Sequence, residues 1–106
     1  MHTPPLVPGN ETTVHLVLND FGELGCAYVE ADPSRSDKWT IVSNIAKGEY
    51  SKPLKVIALN LDEGWCRDVT QYIAQDVFDL GRRENSFSPP ARDFVERILG
   101  IAIFAR

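Results

Sequence analysis

Leu54-Lys55-Val56-Ile57-Ala58-Leu59-Asn60 runs directly into Leu61-Asp62-Glu63-Gly64-Trp65, and the reading of this stretch decides the fold. The first seven residues are apolar on both phases of a two-residue repeat. That predicts a strand covered on at least part of each side. Leu61 to Gly64 has the composition of a turn. Asp62 suits a helix N-cap, and Glu63 suits the positive end of a helix dipole. Trp65, Val69, Tyr72, Ile73, Val77 and Leu80 then mark one helical face. Gly81 is expected to end that helix, with Arg82 and Arg83 just beyond it.

Working outward, Thr13 to Leu18 is β-branched and apolar, as a strand requires. Val14, Leu16 and Leu18 fall on one face, His15 and Val17 on the other. Asn19 to Glu23 carries turn residues, and Leu24 to Glu30 reads as the return strand of a hairpin. Ser36 is a candidate N-cap for a helix at about 36–47, with Trp39, Val42, Ile45 and Ala46 as its stripe. Gly48 fits the position just past its end. Ser88-Pro89-Pro90 is a helix start, with Ser as N-cap and Pro at the first position. Phe94, Val95, Ile98 and Leu99 give that third helix an apolar face, and Gly100 is placed to end it.

The expected architecture is an α+β domain over residues 13–100. It has a three-stranded sheet and three helices in the order β-β-α-β-α-α. The sheet is a hairpin plus a third strand reached through a crossover helix. The simplest strand order is 2-1-3, with the helices on one face. Residues 1–12, with Pro4, Pro5, Pro8 and Gly9, read as an extended or flexible arm. Residues 101–106 form an apolar tail.

The chain has 106 residues, 43% of them apolar and 25% charged, which places it among globular domains. Its formal charge is −4, and residues 1–31 hold four acids and no base. A general phosphate-backbone binder carries the opposite surplus, so nucleic acid is an unfavoured partner. Lys47, Lys52 and Lys55 read as a solvated surface. Cys26 and Cys66 have no zinc-site spacing and are expected to be reduced thiols, so no metal is expected. There is no phosphate-cradling glycine loop, and no cofactor is expected. No apolar run approaches a membrane span, and no signal-peptide pattern opens the chain. The cytoplasm is the expected location.

Three pieces of the stretch from Val14 to Val95 carry a resemblance. They are Val14-His15-Leu16-Val17-Leu18-Asn19-Asp20-Phe21-Gly22, the run Lys47 to Asn60, and Glu63-Gly64-Trp65-Cys66-Arg67-Asp68-Val69. The second is similar to a Gly-x-Tyr followed by Pro-Val-Arg-Val-Val-Ala-Phe-Asn. The third is similar to Glu-Gly-Trp-Ser-Arg-Asp-Val. Together they resemble a family of small, uncharacterised proteobacterial proteins of the rhizobial type. Cys66 stands where that pattern has Ser, and Cys26 where it has a polar or basic residue. Both departures weigh against a thiol function. The family carries no established activity, so the resemblance implies an architecture and no chemistry.

Two places could carry function. The first is the turn, with Asn60, Asp62, Glu63, Trp65 and Arg67 as candidate ligand-binding residues. Strand-to-helix turns hold ligands in α/β sheets, and a helix N-terminus offers free N–H groups to an anion. Against this, Asp62 can cap, Glu63 can complement the dipole, and Trp65 can open the apolar stripe. Three carboxylates in seven residues also oppose an anion. His15 has no acidic neighbour on its strand face, and Cys66 lacks a nearby histidine, so no catalytic residue is assigned. The second place is the C-terminus. Phe94, Ile98, Ile101 and Phe104 exceed what one helix stripe needs and mark a candidate interaction surface. The favoured expectation is a non-enzymatic interaction or regulatory module that self-associates or docks a protein partner through the third helix and tail. A ligand-binding or enzymatic domain using the Asn60–Asp68 turn is the alternative.

Overall fold

The computed structural model of the chain describes residues 13–29 and 37–103. The predicted arm at 1–12, the predicted cap Ser36 and the tail residue Phe104 lie outside the described residues. The elements are β1 (Thr13–Asp20), a 3-10 turn at Gly22–Leu24, β2 (Cys26–Val29), α1 (Lys38–Ala46), β3 (Pro53–Asn60), β4 (Trp65–Asp68), α2 (Thr70–Glu84) and α3 (Pro89–Leu99).

The class is α+β with three helices, as expected, but the sheet has four strands in the order β2-β1-β3-β4. The added strand is β4, so the element order is β-β-α-β-β-α-α. All neighbouring pairs are antiparallel. β2 and β3 both run against β1, so they are parallel to each other with β1 between them. The chain from β2 through α1 to β3 is therefore a crossover.

The expected helix start at Asp62 is corrected. Asn60 pairs with Trp65, and Leu59 with Cys66, across a four-residue turn. Gly64 occupies positive φ there, at 74°. This geometry closes a hairpin, and α2 begins only at Thr70. The expected end at Gly81 is also corrected. α2 runs on to Glu84 and is capped by Asn85 in the left-handed conformation, φ 54°. Gly81 is needed for a different reason: a Cβ there would lie 2.3 Å from the Phe87 ring. At the start of α1, the Asp37 side chain accepts from the Thr40 N–H at 3.1 Å. The Ser88 hydroxyl caps α3 by accepting from the Ala91 N–H at 3.2 Å, and Gly100 ends that helix in the left-handed region.

The core is one cluster between the sheet and the three helices. Val17 and Val56 come from the strands. Ile41, Val42 and Ile45 come from α1; Ile73, Ala74 and Val77 from α2; Ala91, Phe94 and Val95 from α3. Burying each large side chain stabilises the fold by roughly 1.5–3 kcal/mol. Three residues of the predicted helix stripes lie outside this core: Trp39 and Tyr72 are exposed, and Trp65 sits half-buried on β4. On β1 the buried residues are His15, Val17 and Asn19. Asn19 is usable in the core because its Oδ1 accepts from the Lys52 N–H at 2.9 Å and its Nδ2 donates to the Ser51 hydroxyl at 3.3 Å. It thereby fastens the α1–β3 connection to the end of β1.

Candidate functional site

The Asn60–Arg67 turn is organised by its own side chains. Asn60 is buried and faces Thr13 across the sheet, donating from Nδ2 to the Thr13 hydroxyl at 2.9 Å. Its Oδ1 accepts from the Glu63 N–H at 2.7 Å, and its backbone carbonyl accepts from the Gly64 N–H at 2.9 Å. The two N–H groups that face into the turn are thus already satisfied. Glu63 Oε1 accepts from the Trp65 indole N–H at 2.8 Å. The Arg67 guanidinium lies 4.5 Å from the centre of the Trp65 ring, a cation–π contact on the same face of β4. Asp62 is exposed. The predicted residues are brought together, yet the geometry is that of a self-sealed hairpin. The helix N-terminus on which the anion reading rested is eight residues further on.

That later N-terminus is sealed as well. Asp68 accepts from both the backbone N–H and the hydroxyl of Thr70. The Thr70 hydroxyl in turn accepts from the Val56 N–H at 3.0 Å. The Thr70 hydroxyl, first, and then its N–H hold the Asp68 carboxyl below the usual carboxylate range.

Of the predicted C-terminal surface, only the part at Phe94 is corrected. Phe94 is fully buried among the helices and offers nothing to a partner. Ile98 is partly buried and packs against the core. Ile101 remains exposed at 39%. It lines an open cleft of about 630 Å³ with Phe78, Arg82, Asn85 and Phe87. One wall of that cleft is the segment after α3, held by the Ile103 N–H donating to Glu96 Oε2 at 2.8 Å.

A partly exposed apolar feature that sequence reasoning did not single out is the second face of the sheet. β1 and β3 alternate, so Val14, Leu16, Leu18, Ile57 and Leu59 point away from the helices. The register pairs Val14 with Leu59 and Leu16 with Ile57. Leu18 pairs with Tyr28 of β2 on one side and Lys55 on the other. These aliphatic side chains are only partly buried, and none belongs to the core cluster. All three helices pack against the opposite face. Cys26 and Cys66 also stand on the uncovered face, as exposed thiols on the two outer strands. Their register positions are six residues of strand apart, roughly 20 Å, so they cannot bridge within one chain. The signal was present in the sequence: β3 reads as a strand covered on at least part of each side, and the described elements cover one.

Among the described residues there is no cluster of three or more histidine, cysteine or acidic side chains able to hold a metal ion. No described helix is long and apolar enough to cross a membrane. Comparison with family models, curated proteins and solved structures finds no match to this chain.

Proposed function

We propose that this protein is a non-enzymatic interaction module whose docking surface is the uncovered face of its sheet. One observation carries the reading. β3 has the composition of a strand covered on at least part of each side, and β1 carries Val14, Leu16 and Leu18 on its second phase. Yet among the described residues the helices pack only on the His15/Val17/Val56/Ala58 side. Water against Val14, Leu16, Leu18, Ile57 and Leu59 forfeits hydrophobic stabilisation that a partner would recover. An ordinary one-sided antiparallel sheet places polar residues there. The surface expected at α3 and the tail moves accordingly, because Phe94 and Ile98 serve the core. The partner is a protein; a chain of net charge −4 disfavours nucleic acid. A reducing compartment such as the cytoplasm suits two exposed thiols that cannot pair with each other within the chain.

The two thiols report on the face without mutation. Alkylation of Cys26 and Cys66 in intact cells is expected to be at least about tenfold slower than in dilute purified protein. Equal rates in the two settings would leave the face uncovered in the cell and remove the proposal.

A further inference from the structure

We infer that the occupant of the uncovered sheet face is a second copy of this chain, stacked face to face to form a four-layer helix–sheet–sheet–helix dimer. The inference rests on the docking reading above and adds the identity of the partner. Three features of the face favour a copy of itself.

The first is shape. Two antiparallel sheets of the same sequence have the same hand and degree of twist. Their faces therefore match for aligned packing about 10 Å apart. The apolar centre, Leu16 paired with Ile57 and Val14 paired with Leu59, supplies the interdigitating layer.

The second is charge. The apolar centre is bordered by Asp20 at one end of β1, by Lys55 beside Leu18, and by Asp68 beside Ile57. A face with both signs on its rim can complement itself. In a two-fold arrangement each contact occurs twice, so Lys55 meeting a carboxylate of the second copy gives two ion pairs. The same mixed rim, on a chain with an acidic surplus, offers little to a polyanion or an anionic membrane.

The third is area. The strands span 8, 4, 8 and 4 residues. At about 3.3 Å per residue and 4.8 Å between strands, that is a flat footprint of roughly 400 Å². A standard interface buries about 800 Å² of accessible surface per partner. The face is thus smaller than a standard interface, and its central side chains are already partly buried within the chain. The dimer is therefore expected to be reversible, with a dissociation constant in the micromolar range.

The test is sedimentation velocity on the purified full chain from about 1 to 100 μM under reducing conditions. The expected result is a concentration-dependent rise from the 11.9 kDa chain mass to twice that value. Leu16→Lys puts an unpaired charge at the centre of the face and should weaken association by about 30-fold or more. Gln75→Lys, on the exposed side of α2, should leave association unchanged. If Leu16→Lys does not fold, Ile57→Thr keeps the β-branched strand preference and is read in the same way. A wild-type chain that stays monomeric at about 100 μM overturns the inference. So does a dimer insensitive to the face substitutions. Monomer in solution combined with protected thiols in cells rejects the second copy and leaves the docking reading standing. Unprotected thiols reject both.

Discussion

Gly81 illustrates how a residue can be read correctly as special and for the wrong reason. A glycine before Arg82-Arg83 looks like a helix terminator. In the fold it lies inside α2 with Phe87 packed directly over it, and Phe87 stacks on Phe78 at 6.1 Å between ring centres. In an open helix Gly→Ala would gain about 1 kcal/mol. Here the added methyl collides with an aromatic ring that has little room to retreat. Gly81→Ala should destabilise the protein by about 1–3 kcal/mol net, read by denaturant unfolding. The same change in a Phe87→Ala background should be neutral or stabilising, because the two positions are in direct contact. Additive effects of the two substitutions would contradict this account of Gly81. Trp39 and Tyr72 show the reverse case. Their spacing fits a stripe, yet both point to solvent, and Lys38 lies 4.8 Å from the Trp39 ring. Spacing alone does not distinguish the centre of a stripe from its margin.

At the level of elements, the signals that were legible were local and chemical. Ser88 with Pro89, and Gly100 at the far end, bracket α3 as their capping chemistry dictates. The hairpin of β1 and β2 was readable from strand composition and turn residues, and β3 from an apolar run on both phases bounded by turn residues. The β4–α2 junction was not. Trp65, Val69, Tyr72 and Ile73 recur at helical intervals, and a four-residue edge strand is too short to compete with that pattern. The true start of α2 depends on a tertiary contact, the Thr70 hydroxyl bonded to the Val56 N–H of β3, which no local pattern announces. This junction should be acid-sensitive. Hydrogen bonds from Thr70 depress the Asp68 pKa in the folded state. A depressed carboxylate contributes stability above its unfolded pKa, and that stability is lost as pH falls through the folded value. Thermal unfolding should therefore show wild type losing stability below about pH 4 more steeply than Asp68→Asn. Identical acid limbs would mean that Asp68 does not hold the junction. Asp37, depressed chiefly by the Thr40 hydroxyl, acts in the same direction at the start of α1 and is unaffected by that substitution.

For the whole molecule, the sequence carries a surplus of apolar residues that its spacing assigns to the C-terminus. The surplus exists, but Phe94 and Ile98 are drawn inward because all three helices share one side of the sheet. What the described residues leave uncovered is the other side, where Leu16 and Ile57 face outward. The predicted turn site is similarly recast: Asn60, Glu63 and Trp65 meet as expected, and their hydrogen bonds are spent on closing a hairpin. Residue identities carried the local geometry. Which side of the sheet the helices choose is a tertiary outcome that strands apolar on both phases leave undetermined.

The most direct test of the docking face is a photo-crosslinking amino acid placed at Leu16 in living cells, with Gln75 on the exposed side of α2 as the control position. The account predicts a covalent protein adduct from position 16 and none from position 75. An empty result at position 16, or equal adducts from both positions, would contradict it.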